Sequence, residues 1–172
     1  MPAMPEPSVN HVLEILRVLA AHHVEFVVCG GVAVVLHGVE RMTLDVDLSV
    51  AMTSENLRRV IGAMRELGLK PRAPVAPEVL LDPKQVKALI TEKHALAFTF
   101  LDPDRPYRQA DILLTPDASY EKLKGDAVTM HAGEVPVAVV SAKRLIQMKK
   151  KVRPKREKDV ADIRALSALL KP

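Results

Sequence analysis

The chain has 172 residues, of which 48% are hydrophobic, and its 25 Lys and Arg exceed its 21 Asp and Glu to give a net charge of +4. That length suits a single domain, 1–172, with a true core, and the lone cysteine excludes an internal disulfide. No apolar run reaches membrane-spanning length and no basic-then-apolar leader is present, so the sequence predicts a soluble, cytoplasmic protein.

In chain order, Met1 to Pro7 is a Pro-rich start, and Ser8 is placed to cap a helix with Val12, Ile15, Leu16 and Leu19 on its apolar face. His22-His23 falls at the end of that helix, where positive charge is favoured. Phe26 to Cys29 is a short apolar strand, Gly30-Gly31 a tight turn, and the run to Leu36 a helix that His37 and Gly38 close. Leu44 to Val50 alternates, so Asp45, Asp47 and Ser49 share one face of a strand and Leu44, Val46, Leu48 and Val50 the other.

Thr53 or Ser54 starts a helix with Leu57, Val60, Ile61, Met64 and Leu67 at helical spacing, and Gly68 stops it. Residues 70–83 hold four prolines and read as loop, followed by a short helix from Pro83 to about Glu92. Leu96–Leu101 and Gln109–Leu114 are strands around an Asp-Pro-Asp-Arg-Pro turn, with Asp102, Asp104 and Asp117 as local caps. Val135 to Val140 is the last strand. Ser141 caps a helix to about Lys151, and a final helix from about Glu157 to Leu170 is expected to bury Val160, Ile163, Leu166, Leu169 and Leu170. The order is mixed α/β, and the segment 141–172 is expected to form a small helical lobe on the one domain.

Chemistry concentrates in two places. Glycines before a helix let backbone N–H groups approach an anion at its N-terminus. Two carboxylates side by side on a strand repel, and a divalent cation relieves that repulsion. Cys29, at the end of an apolar run, reads as a small buried residue. The second place is residues 143–158, with nine Lys and Arg against one Glu, while residues 1–142 carry a net −4. A patch of that charge suits a polyanion, triphosphate first and RNA second, because no aromatics are interleaved for base stacking.

Gly30-Gly31, a helix-length spacer and Asp45-x-Asp47 resemble the nucleotidyltransferase superfamily of the polymerase-β type. Arg41-x-Thr43-x-Asp45-x-Asp47 is similar to its small bacterial branch of abortive-infection, AbiEii-like proteins. Ser141 to Lys149 and Arg156-Glu-Lys158-Asp159-Val-Ala-Asp162-Ile163 extend the likeness to the C-terminus. The resemblance implies a small mixed β-sheet flanked by helices and a third acid on a later strand. Asp111 fits, sharing a face with Gln109 and lying opposite Ala110 and Ile112.

By that resemblance, Asp45, Asp47 and Asp111 hold Mg²⁺ or Mn²⁺ and are catalytic. Gly30, Gly31, Arg41, Thr43, Lys149, Lys158 and Asp159 are the candidate nucleotide-binding residues, with Arg41 open between a phosphate ligand and a surface partner. The implied activity moves a nucleoside monophosphate from a triphosphate such as ATP to a hydroxyl of transfer RNA or of a protein, within a toxin–antitoxin pair. The alternatives are a nucleotide-binding domain without catalysis and an antitoxin-type partner protein.

Overall fold

The computed structural model describes residues 10–172, so the Ser8 cap lies outside the described residues. The elements are α1 (Asn10–Ala21), β1 (Phe26–Cys29), α2 (Gly30–Leu36), β2 (Asp45–Val50), α3 (Ser54–Glu66), β3 (Lys70–Pro71), α4 (Pro83–Thr91), β4 (Ala97–Leu101), β5 (Gln109–Leu113), α5 (Tyr120–Leu123), β6 (Val128–Ala132), β7 (Val135–Val139), α6 (Ala142–Lys150) and α7 (Glu157–Leu169). Among the described residues, one mixed sheet of seven strands runs in the order β3-β4-β5-β2-β1-β7-β6. β1 lies antiparallel to β2 and parallel to β7, and β2 lies parallel to β5. The α/β architecture expected from the alternation of elements is therefore present. No helix among the described residues is long and apolar enough to cross a membrane.

The central strands follow from their residues. Val27, Val28, Val46, Leu48, Ala110 and Ile112 are fully buried, and the apolar face of α1 (Val12, Ile15, Leu16, Leu19) packs into the same core. α3 is capped by Thr53, whose hydroxyl accepts from the Asn56 N–H, and it turns in Leu57, Val60, Ile61 and Met64. Gly68, at φ +71°, ends that helix in a conformation that favours glycine.

Three expectations need correction. Residues 70–83 are not all loop: Lys70–Pro71 pairs with β4, and Pro77–Leu81 forms a 3₁₀ turn that buries Leu80. β6 is absent from the sequence reading although Val128-Thr129-Met130-His131-Ala132 alternates, because this short edge strand exposes Val128, Thr129 and His131 and carries little apolar weight. In α7 the burial is different in kind. Val160, Leu169 and Leu170 are 41%, 52% and 54% exposed, whereas Asp159, Asp162 and Leu166 are buried. The helix faces charged groups rather than a purely apolar surface. Leu166 joins Leu145 and Ile146 of α6 in the core that the sheet shares.

One side chain fastens the start of β1 to the end of β2, the strand of Asp45 and Asp47. The Asn56 amide accepts from the Glu25 N–H at 2.7 Å and donates to the carbonyls of Glu25 at 3.0 Å and Ala51 at 2.9 Å. It is buried. Removing it leaves the buried Ala51 carbonyl without this donor and the part-buried Glu25 N–H without its acceptor. Asn56→Leu should therefore lower the free energy of unfolding by about 2–4 kcal/mol, measured by denaturant titration. A loss below about 0.5 kcal/mol would show that these groups find other partners.

Candidate active site

The acids meet because β2 and β5 are parallel neighbours in a set register. Asp47 stands opposite Asp111, and Asp45 opposite Gln109. Adjacent strands lie about 4.8 Å apart, so two carboxylates on one face are forced together. Burial, then the charges of Asp111 and Asp45, push the Asp47 carboxyl up to about 7. Burial and Asp111 also raise Asp45, against the pull of Lys158, Arg72 and His11.

Glycine at position 30 is required by this crowding. Gly30 has φ +61°, and a Cβ there would lie 1.9 Å from Asp47 Oδ2. At Gly31 a Cβ would meet Thr43 Oγ1 at 2.6 Å and an Arg41 guanidinium nitrogen at 3.2 Å. The two glycines are the first residues of α2 rather than a separate turn. Their missing side chains make room for Asp47, Thr43 and Arg41.

Further donors hold Asp111. Thr99 Oγ1 donates to its Oδ1 at 2.6 Å, and Gln109 Nε2 lies 3.2 and 3.1 Å from its two oxygens. Arg72 Nη2 donates to Gln109 Oε1 at 2.6 Å. Sequence reading named Gln109 only as a neighbour on the face and missed Thr99 and Arg72. Thr99 is two positions along an alternating strand, a signal that was available; Arg72 sits in the Pro-rich segment, where no pattern marks it.

The C-terminal basics are drawn in by α7. Lys149 is buried, 2.9 Å from Asp162 and 3.5 Å from Asp159, and its charge acts on Asp47. Arg41 forms an ion pair with Asp162, joining the segment before β2 to the last helix. Asp159 is fully buried and takes two hydrogen bonds from Arg156. Burial opposes its ionisation, yet Arg156 and Lys149 hold it below the usual carboxylate range. Lys158 is exposed, and its charge acts on Asp45.

A cavity of about 500 Å³ adjoins the acids, lined by Gly30 and Asp47 on one side and by Lys149, Lys151, Arg153 and Arg156 of the C-terminal segment. Such a volume is typical of small-molecule sites. The remaining candidates lie elsewhere. Asp102 caps its turn through the N–H groups of Asp104 and Arg105 and also pairs with buried Arg108. Asp117 pairs with Lys151 and Lys122 rather than acting as a cap. His37 bonds to the Val140 carbonyl, and His22 pairs with Glu66. Cys29 is buried, and burial followed by Asp47 pushes its thiol up to about 12, which suits a packing residue and not a nucleophile.

The donor set suits a hard divalent cation. Among the described residues no three His, Cys, Asp or Glu side chains form a ready-made cage. What the register assembles is the Asp47/Asp111 pair, with Asp45 exposed beside it. Mg²⁺ is commonly held in this way, by one or two carboxylates completed by water and substrate phosphates.

No protein-family model matches the chain, and no curated protein matches it. Solved structures do. The lincomycin-bound lincosamide antibiotic adenylyltransferase LnuA is similar with a TM-score of 0.63 at 16% identity, over 94% of this chain and 98% of that one. The antibiotic-resistance factor ANT(2'')-Ia in solution gives 0.64 at 16% identity over 98% and 86%. An antigenic nucleotidyltransferase-like protein from Paracoccidioides brasiliensis gives 0.57 at 15% identity over 97% and 78%. The chain has the fold of these nucleotidyltransferases.

Two outcomes follow from the crowding. Gly30→Ala should destabilise the protein by more than the roughly 1–3 kcal/mol of left-handed strain, because the new methyl also displaces Asp47. Gly68→Ala is the control, with φ +71° and nothing near its Cβ. Equal losses in the two variants would mean that Asp47 moves aside freely.

The second concerns pH. A carboxyl raised in the folded state stabilises it fully below the unfolded value near 4, and that contribution is gone above about 7. Metal-free protein should therefore lose stability relative to Asp47→Asn as pH rises from about 4 to about 7. Over the same range Mn²⁺ should bind up to about tenfold more tightly per pH unit, as one proton is released per ion. Parallel stability curves for the two proteins would show that Asp47 titrates normally.

Proposed function

We propose that the chain transfers a nucleoside monophosphate from a nucleoside triphosphate to an acceptor hydroxyl, with Mg²⁺ or Mn²⁺ held by Asp45, Asp47 and Asp111. The observation that carries this reading is Asp47 opposite Asp111 in adjacent parallel strands, beside a cavity with a cationic wall. When bound, the divalent ion supplies Lewis-acid polarisation of the α-phosphate and offsets charge on pyrophosphate. The acceptor oxygen bonds to the α-phosphorus, the bond from that phosphorus to pyrophosphate breaks, and the hydroxyl proton passes to Asp111.

The chain's own groups do the rest by position and charge. Lys149 and Lys158 face the leaving group from the C-terminal helices. Gly31, Arg41 and Thr43 form one polar patch over the start of α2, suited to the outer phosphates. Asp159 aims Lys149 and Arg156.

For the acceptor, a small hydroxylated molecule is the first reading. LnuA is described with lincomycin bound, and ANT(2'')-Ia with adenylyl-2''-tobramycin. Much of the basic segment is also neutralised internally: Arg144 pairs with Asp126, Lys149 with Asp159 and Asp162, Lys151 with Asp117, and Arg156 with Asp159. The second reading keeps an RNA or protein hydroxyl in an AbiEii-like toxin–antitoxin setting, and exposed Lys143, Lys150 and Lys155 favour it.

Incubation with each labelled triphosphate, Mg²⁺, and either hydroxylated antibiotics, transfer RNA or cell lysate separates these readings by what becomes labelled. Asp111→Asn keeps shape but removes charge. Triphosphate affinity should persist while transfer falls at least about a hundredfold. Loss of both would place Asp111 in the triphosphate site; retention of both would remove it from catalysis. Wild-type protein that binds triphosphate but labels nothing would be a nucleotide-binding partner protein.

A further inference from the structure

We propose that Arg72 is a positioning residue: acting through Gln109, it fixes the Asp111 carboxylate toward Asp47, where the divalent ion and the acceptor hydroxyl meet. The proposal rests on the nucleotidyl-transfer reading of the acidic cluster and assigns a residue to it from outside the strands that carry the acids.

Arg72 follows β3 in the segment Lys70-Pro71-Arg72-Ala73-Pro74. Its own N–H donates to the Thr99 carbonyl at 2.9 Å, which docks it on β4 beside the strand of Asp111. Its guanidinium reaches Gln109 Oε1 at 2.6 Å. A guanidinium has donors only, so the atom facing it must be the amide oxygen. The Gln109 NH₂ is thereby aimed at Asp111, 3.1 and 3.2 Å from its two oxygens. The second donor to Asp111 is Thr99, the residue whose backbone holds Arg72. Thr99 is set opposite Asp111 by the β4–β5 ladder, so the restraint that depends on the Arg72 side chain is the one through Gln109.

Such restraint is needed here. Asp111 stands beside Asp47, and two neighbouring carboxylates turn away from each other unless something holds them. Gln109 is buried, but three torsions separate its amide from the backbone, and the arginine stops them. The Arg72 charge also acts on Asp45. Arg72 is exposed and makes no ion pair among the described residues, so its principal side-chain bond is spent on orienting Gln109. Residues that orient metal-binding groups in this manner typically change metal affinity or activity by about 10–100-fold when removed.

The experiment compares wild type, Arg72→Met, Arg72→Lys, Gln109→Met and the double variant Arg72→Met/Gln109→Met in the full chain. Mn²⁺ affinity is read by calorimetric titration, kcat and KM for triphosphate by label transfer, and the melting temperature alongside. Arg72→Met should weaken Mn²⁺ binding and lower kcat by about tenfold each, with KM for triphosphate within about twofold. Arg72→Lys should recover part of both, and Arg72→Met should add little once Gln109 is already replaced. A lower melting temperature with unchanged Mn²⁺ affinity and kcat would make Arg72 a structural pin and overturn the proposal, as would an effect of full size in the Gln109→Met background. In both cases wild type still binds Mn²⁺ and transfers, so the reading of the site survives. Wild type that neither binds Mn²⁺ nor transfers would overturn that reading, and the proposal with it.

Discussion

Two carboxylates held side by side in adjacent parallel strands set the terms for the rest of this molecule. Asp47 and Asp111 share one register step of the sheet, so neither backbone can yield without breaking the ladder that buries Val46, Leu48, Ala110 and Ile112. Their repulsion must be answered by side chains. On one flank Gly30 gives up its Cβ to make space. On the other, Thr99 and Gln109 supply hydrogen-bond donors to Asp111. Burial, then the charges of Asp111 and Asp45, push the Asp47 carboxyl up to about 7, so without a cation a proton offsets the remainder. A cation would replace the proton, so folding and ligand binding draw on the same local charge.

A second layer of charge holds the C-terminal helices to the site. Asp159 and Asp162, three residues apart on α7, lie on one face and are buried against Lys149, Arg156 and Arg41. A buried ion pair is a weak source of net stability, since desolvation offsets much of the attraction. It is a strong source of position, because moving one partner leaves the other unpaired in a dry place. α7 therefore serves less to fill a core than to hold cations at fixed points beside the acids, with Leu166 as its buried apolar contact. The same arithmetic shows why the net charge of residues 143–158 overstates the positive surface there.

This division explains what could be read from the sequence. The acid strand, the glycine pair and the helices α1 and α3 follow local rules of period and capping, and the expected boundaries lie within about two residues of those found. Resemblance places Asp111 on a later strand and on the face of Gln109; that β5 is the parallel neighbour of β2 comes from the structure. Period failed on α7. Leu169 and Leu170 looked like core residues because a helical apolar stripe normally is one, yet the helix turns its aspartates inward. Only a count of the cations waiting on α6 and before β2 could have reversed that choice. Arg72 was out of reach for a different reason: its importance comes from a contact across 37 residues, and the prolines around it speak only of loop. Asn56, too, passed as an ordinary polar residue in the first turn of a helix, although its amide closes the gap between Glu25 and Ala51.

The arrangement has a directional logic. Restraints on the acids come from the sheet side, through β3, β4 and the start of α2, whereas cations reach the site from the C-terminal helices. The cavity lies between these two sources, with Gly30 and Asp47 facing Lys149 and Arg156. On the nucleotidyl-transfer reading, the phosphates of a polyanion entering there would meet the cations and its metal the carboxylates. At the exposed rim Asp45 and Lys158 carry opposite charges, and that of Lys158 acts on Asp45. On the nucleotidyl-transfer reading proposed above, a ligand bearing negative phosphate and positive metal is the chemical class that suits acids on one side of the cavity and cations on the other.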